Sequence, residues 1–174
     1  MIDPLWKRIA GIHVLDEGLI GAVWMAHDKQ TDIVHLYDAC VFKLEVLAVI
    51  AEGLNARGRW IPIAWEKGSK EVAEKLLDRG CNTIPEPIAD SPALAEMTSR
   101  DIWERMRSGR FKVDKRLKVW TDEYTNYYRD ESQIPTGAYP LMNATRYAVG
   151  SLPFARKQSS SKTKTNNAPK LAII

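Results

Sequence analysis

The residues of this chain that could do chemistry are few and scattered. His13 lies inside the apolar stretch Arg8-Ile9-Ala10-Gly11-Ile12-His13-Val14, and Asp16 and Glu17 follow it in a polar loop. Asp38 sits near the end of the run Ile33-Val34-His35-Leu36-Tyr37-Asp38-Ala39, and Glu66 comes directly after Ala64-Trp65. A histidine on an apolar strand is most often buried and hydrogen-bonded, and acids at strand ends are most often solvated loop residues. Cys40 and Cys81 share no metal-type spacing, so two buried free thiols of a reducing cytoplasm are expected. No G-x-x-x-x-G-K-[ST] loop occurs and the glycines form no dinucleotide fingerprint, which leaves nothing to cradle nucleotide phosphates by those routes.

The cationic residues are unevenly placed. Net charge is +3, yet residues 151–174 hold Arg156, Lys157, Lys162, Lys164 and Lys170 with no acid. Five of the 25 basic residues therefore sit in that tail, and the remaining 150 residues carry a balance of −2. The body is thus not a basic DNA-binding block. The run Ser159 to Asn167 has nothing apolar to bury and is expected to be disordered. Arg156, Lys157, Lys162 and Lys164 are the candidates for contact with nucleic-acid phosphates, although a solvated end is the commoner fate of such a tail. No apolar run approaches the ~18 residues of a membrane span, and the N-terminus lacks the layout of a signal peptide.

The elements that must position these residues follow from periodicity. Arg8–Val14, Ile20–Ala26 and Ile33–Ala39 read as three strands with short links, an antiparallel meander. Leu44, Leu47, Ala48, Ala51 and Leu54 recur at helical spacing up to Arg57-Gly58. Trp60–Trp65 is a fourth strand, parallel to the first because a helix separates it from the meander. Ser69 caps a helix with apolar face Val72, Ala73, Leu76 and Leu77, closed by Gly80, and Asn82–Pro85 is a short strand. Ser91-Pro92 opens a further helix running to Ser108-Gly109. Phe111–Val113 is extended, and Leu117, Trp120, Tyr124 and Tyr127 mark a helix whose aromatic stripe suits core packing better than base stacking. A last helix presents Leu141, Ala144, Thr145, Ala148 and Leu152 on one face. The order predicts an α/β domain over 1–152, a mixed central sheet with helices on both faces, followed by the basic tail 153–174.

Several segments, in order, resemble one family: the nuclease domain of the large terminase subunit of tailed bacteriophages. They are Trp6–Ile12, Ala22-Val23-Trp24, His35–Ala39, Arg59–Trp65, Lys67-Gly68-Ser69, Ser108–Val113 and Leu141–Ala148, so the likeness runs over roughly residues 6 to 155. The resemblance implies a ribonuclease H-like fold and a domain that cuts concatemeric viral DNA during packaging in the cytoplasm of a bacterial host. It also implies that the chain starts where the nuclease starts, without the ATPase motor. Implied partners are double-stranded DNA, a terminase ATPase or small subunit and the portal; a membrane is not among them.

The chemistry implied is two-metal phosphodiester hydrolysis with Mg²⁺ or Mn²⁺ held by carboxylates. The family places these on the first strand, after the fourth strand and at the start of the last helix. Here the first position holds His13 and the third holds Tyr139-Pro140, while Glu66 can serve the second. Imidazole suits transition metals better than Mg²⁺. Asp16, Asp38 and Glu66 are the acids from which a rearranged catalytic and metal-binding set could be assembled, with Glu17 nearby. Three readings stay open: a nuclease domain with catalysis lost or nearly lost, an active nuclease with a displaced site, and a non-catalytic DNA- or portal-binding module. A decayed prophage fragment is a fourth.

Overall fold

The computed structural model describes residues 2–15, 18–43, 45–89, 91–127 and 139–159. Three long strands form its centre: β1 (Lys7–Leu15), β2 (Leu19–Asp28) and β3 (Ile33–Lys43). They pair as the expected antiparallel meander, with Ala10 opposite Trp24 and Trp24 opposite Asp38. Two short strands complete the edges. β4 (Ile63–Ala64) runs parallel to β1 and β5 (Phe111–Val113) parallel to β3, giving the order β4-β1-β2-β3-β5.

Helices cover both faces. Against one face, α1 (Leu47–Ala56) and α2 (Lys70–Asp78) press Ile50, Ala51, Leu54, Ala73 and Leu76 onto Ala10, Ile12, Ala22 and Trp24. Against the other, α3 (Pro92–Arg107), α4 (Lys118–Asn126) and α5 (Pro140–Gly150) join Ile9, Val23, Met25, Val34 and Leu36. Residues 20–26 of β2 are buried on both sides, which explains an apolar run without alternation.

The last helix departs from expectation. It is not one-faced: every residue from Pro140 to Val149 is buried, because α5 lies on β1 and β2 while α3 and α4 cover its outer side. The approach to the sheet is close enough to exclude side chains. A Cβ on Gly11 would overlap the Ala144 carbonyl, and one on Gly21 would fall 2.5 Å from the Pro140 carbonyl carbon. These two glycines set the depth at which α5 sits.

Other expectations need smaller corrections. α1 begins at Leu47, and Leu44 lies outside the described residues. Only Ile63–Ala64 of the run 60–65 joins the sheet, and the expected strand at 82–85 is reduced to a bridge at Thr83, with a second at Ile88. Ser69 precedes α2 but makes no side-chain cap bond, because its hydroxyl donates to Glu66 instead. Ser91 does cap α3, accepting from Leu94 N–H at 3.2 Å, with Pro92 in the first turn. Cys81 is buried and free, whereas Cys40 is only half-buried. Packing also runs past residue 152. Ala155 is buried, and Arg156 forms an antiparallel bridge with Arg8 through bonds of 2.7 and 3.0 Å.

Candidate active site

Three of the positions that suggested a site, His13, Glu66 and Pro140, lie at one end of the sheet. His13 lies opposite Gly21 in the β1–β2 ladder, and Pro140 packs on Gly21. Strand alternation turns His13 toward α5, where its Nδ1 shares a 3.2 Å hydrogen bond with the Tyr147 hydroxyl. The histidine is 9% exposed and its ring lies 5.6 Å from that of Tyr147. It is a buried, hydrogen-bonded histidine.

Glu66 stands level with His13. It lies two residues past Ala64, as His13 lies two past Gly11, and those two residues face each other in the parallel ladder. Its carboxylate is turned to local work. Oε1 accepts from Ser69 Oγ at 2.7 Å and Oε2 from Gly68 N–H at 3.1 Å, so Glu66 caps the 3-10 turn Lys67–Ser69 that leads into α2. At 8% exposed, it has both oxygens committed within its own loop.

Asp38 is not brought to this place. It shares a row with Trp24, Ala10 and Ile63, on the face covered by α1 and α2. Asp38 itself is two strands from β1, roughly 10 Å, and its row lies three residues short of His13, roughly another 10 Å. There Asp38 receives Arg57 Nε at 2.9 Å and Ala39 N–H at 2.9 Å, while the Arg57 guanidinium lies 4.7 Å from the Trp24 ring centroid. Asp38 therefore does not stand beside Glu66: it ties α1 to the sheet. Asp16 and Glu17 lie outside the described residues.

One carboxylate at this end gave no sign in the sequence. Glu123 of α4 reaches the start of α5 and accepts from Met142 N–H at 2.7 Å. Burial pushes its carboxyl up to about 7 against the bonds from the Met142 and Leu141 amides, which favour the ionised form. It caps α5 from another helix, where Tyr139-Pro140 supply no side-chain cap. Its only sequence signal is a place three residues after Trp120, on the aromatic stripe of α4.

Among the described residues, the donor set does not fit a pair of Mg²⁺ or Mn²⁺ ions. No group of three or more His, Cys, Asp or Glu that could hold a metal occurs among the described residues. His13 is engaged by Tyr147, Glu66 by its own turn and Glu123 by backbone amides, whereas hard cations need several converging oxygens.

The candidate phosphate contacts lie at the opposite end of β1. The bridge to Arg8 places Arg156 and Lys157 beside Lys7. Partial burial and then the like charges of Lys29, Lys157 and Arg156 hold the Lys7 ammonium below its ordinary value. Arg8, which Arg156 bridges, is five residues and roughly 17 Å along the strand from His13. Lys162 and Lys164 lie outside the described residues. No helix of the described residues is long and apolar enough to cross a membrane.

No protein-family model matches the chain. In sequence it is similar to the terminase large subunit of Salmonella phage P22, with 31% identity over 142 residues, covering 74% of this chain and 28% of that protein. The chain thus spans little more than a quarter of that relative's length. Among solved structures, the nuclease domain of the P22 large terminase superposes with a TM-score of 0.81 at 19% identity, covering 90% of this chain and 87% of that one. The large terminase nuclease domain of bacteriophage SPP1 with bound Mn gives a TM-score of 0.62 at 17% identity, covering 83% and 86%. The large terminase nuclease of thermophilic phage G20c with bound cobalt gives 0.61 at 20% identity, covering 86% and 83%. The chain has the ribonuclease H-like fold of large terminase nuclease domains.

Proposed function

We propose that this chain is a terminase nuclease-like domain, associated with packaging of phage DNA in the host cytoplasm, in which cleavage is weak or lost. One observation carries the reading. His13 and Pro140 meet at Gly21, where the resemblance calls for two acids, and those positions hold an imidazole bound to Tyr147 and a proline. The scaffold that brings the positions together is kept while the oxygen donors are replaced. Double-stranded DNA is the substrate class, Mg²⁺ or Mn²⁺ would be the cofactor of any residual activity, and a terminase ATPase, small subunit or portal the protein partner.

The purified chain is expected to leave supercoiled plasmid intact with either Mg²⁺ or Mn²⁺. Nicking that disappears in both Glu66→Ala and Asp16→Ala would overturn the reading.

A second reading, a non-catalytic DNA- or portal-binding module, is favoured by the basic group Lys7, Lys29, Arg156 and Lys157 lying away from the candidate site. Retention of DNA or portal protein by the chain, lost in Arg156→Gln/Lys157→Gln, is its expected signature. Retention unchanged in that variant counts against it.

A further inference from the structure

A cavity of about 650 Å³ opens between α3, α4 and α5, on the outer side of α5 and away from His13. Its size suits a small-molecule ligand, and its walls combine two kinds of chemistry. The first is aromatic. Phe111, Trp120 and Tyr124 form a stack, with Trp120 and Tyr124 nearly parallel at 8° and 5.3 Å between centroids. Tyr124, the outermost ring, is 42% exposed, and Trp103 of α3 is 53% exposed on the cavity wall. Large aromatic surface is usually covered, and these two rings line the same cavity.

The second is cationic. Arg146 is 5% exposed on an otherwise uncharged helix. Its guanidinium donates to Asn143 Oδ1 at 2.6 Å and lies over the Tyr147 ring, but Nε has no hydrogen-bond partner, and no carboxylate pairs with it among the described residues. A buried cation without a counter-ion is costly unless something anionic completes it. Ser99 Oγ, on the same wall, is likewise buried and unpartnered. Glu96 and Glu104 also line the cavity. They oppose a compact anion and suit a ligand that carries its charge at one end and hydrogen-bond donors at the other.

We propose that this cavity binds a nucleotide, the base stacked on Tyr124 and Trp103 and the phosphate drawn to Arg146 and Ser99. The site does not depend on whether the domain cleaves DNA, so it stands or falls separately from the plasmid-nicking result. The nucleotide has two sources, a free nucleoside monophosphate or the phosphorylated end of a DNA strand.

The test is titration of the full chain with dAMP, with inorganic phosphate, and with a 5′-phosphorylated tetranucleotide, read by quenching of tryptophan fluorescence. Saturable binding of dAMP or of the tetranucleotide, tighter than inorganic phosphate, is expected. Trp103→Ala should weaken it roughly tenfold or more, the scale of one lost base–aromatic stack. Trp103 is exposed, so that variant should keep the wild-type Tm. Arg146→Gln should weaken the nucleotide more than it weakens the unphosphorylated nucleoside, a difference that loss of fold alone would not give. A tetranucleotide that displaces dAMP identifies the strand end as the source; one that does not assigns the site to the free nucleotide. No saturation by either probe at millimolar concentration, or binding indifferent to both variants, overturns the proposal.

Discussion

The two ends of β1 carry opposite designs. At the end bearing His13, the polar groups of the candidate site turn inward: imidazole to tyrosine, Glu66 to its own turn, Glu123 to helix amides. At the end bearing Lys7 and Arg8, charge is gathered and left facing solvent, with Lys29, Arg156 and Lys157 crowding Lys7. One end is built from contacts that hold the fold, the other from charges that a polyanion would neutralise. The difference teaches that inward-turned polar contacts and outward-facing charge can separate along a single strand.

The largest effect should come from disturbing what fixes the first end. Gly11→Ala would drive a methyl into the Ala144 carbonyl, a clash with backbone that cannot rotate away. A loss of about 3 kcal/mol or more in denaturant unfolding is expected, at the upper end for overpacked sites. A loss below about 1 kcal/mol would mean that α5 slides freely on the sheet, and the convergence of His13 with Pro140 would lose its cause.

The second end offers a smaller, salt-dependent effect. Arg156→Gln with Lys157→Gln should lower the slope of log affinity for duplex DNA against log salt by up to about 1.8, near 0.9 for each phosphate contact removed. An unchanged slope would break the contrast between the ends.

The smallest effect concerns Glu123. Its folded carboxyl titrates near 7, above its ordinary 4.5, so the folded state holds the proton more tightly than the unfolded chain. The stabilisation is fully present below about pH 4.5 and is lost as pH rises through 7. Glu123→Gln keeps an acceptor for the Met142 amide and removes the titration. Its Tm should therefore fall less between pH 5 and pH 8 than that of the unchanged chain. Equal falls would show that the carboxyl does not titrate there.

Much of the scaffold was legible because strands and helices advertise their period. The meander, the parallel fourth strand and the cap at Ser91 all follow from local spacing. α5 was misjudged because a helix buried all round has no periodic signal to separate its faces, and Leu141 or Ala148 reads the same whether its neighbours are covered or not. At the site, it was the resemblance and not local spacing that put His13 and Tyr139-Pro140 together; in the structure His13 and Pro140 both adjoin Gly21. Chain order could not reveal that Asp38 points to the other face, since one step of strand register decides that. Glu123 and Arg146 escaped because a charge that caps a distant helix or lines a cavity has the same local context as any surface charge. Only a lone arginine on an apolar helix could have drawn notice.

The bridge between Arg8 and Arg156 has a further consequence. β4 is two residues long and covers the outer side of β1 only at Ala10 and Gly11. Below that, the Arg8 amide and carbonyl would face outward as a free strand edge, the kind of template on which a second chain can add. Arg156 occupies it through both bonds. A chain cut at 152, where composition alone places the end of the body, would lose that cover and gain a route to edge-to-edge aggregation.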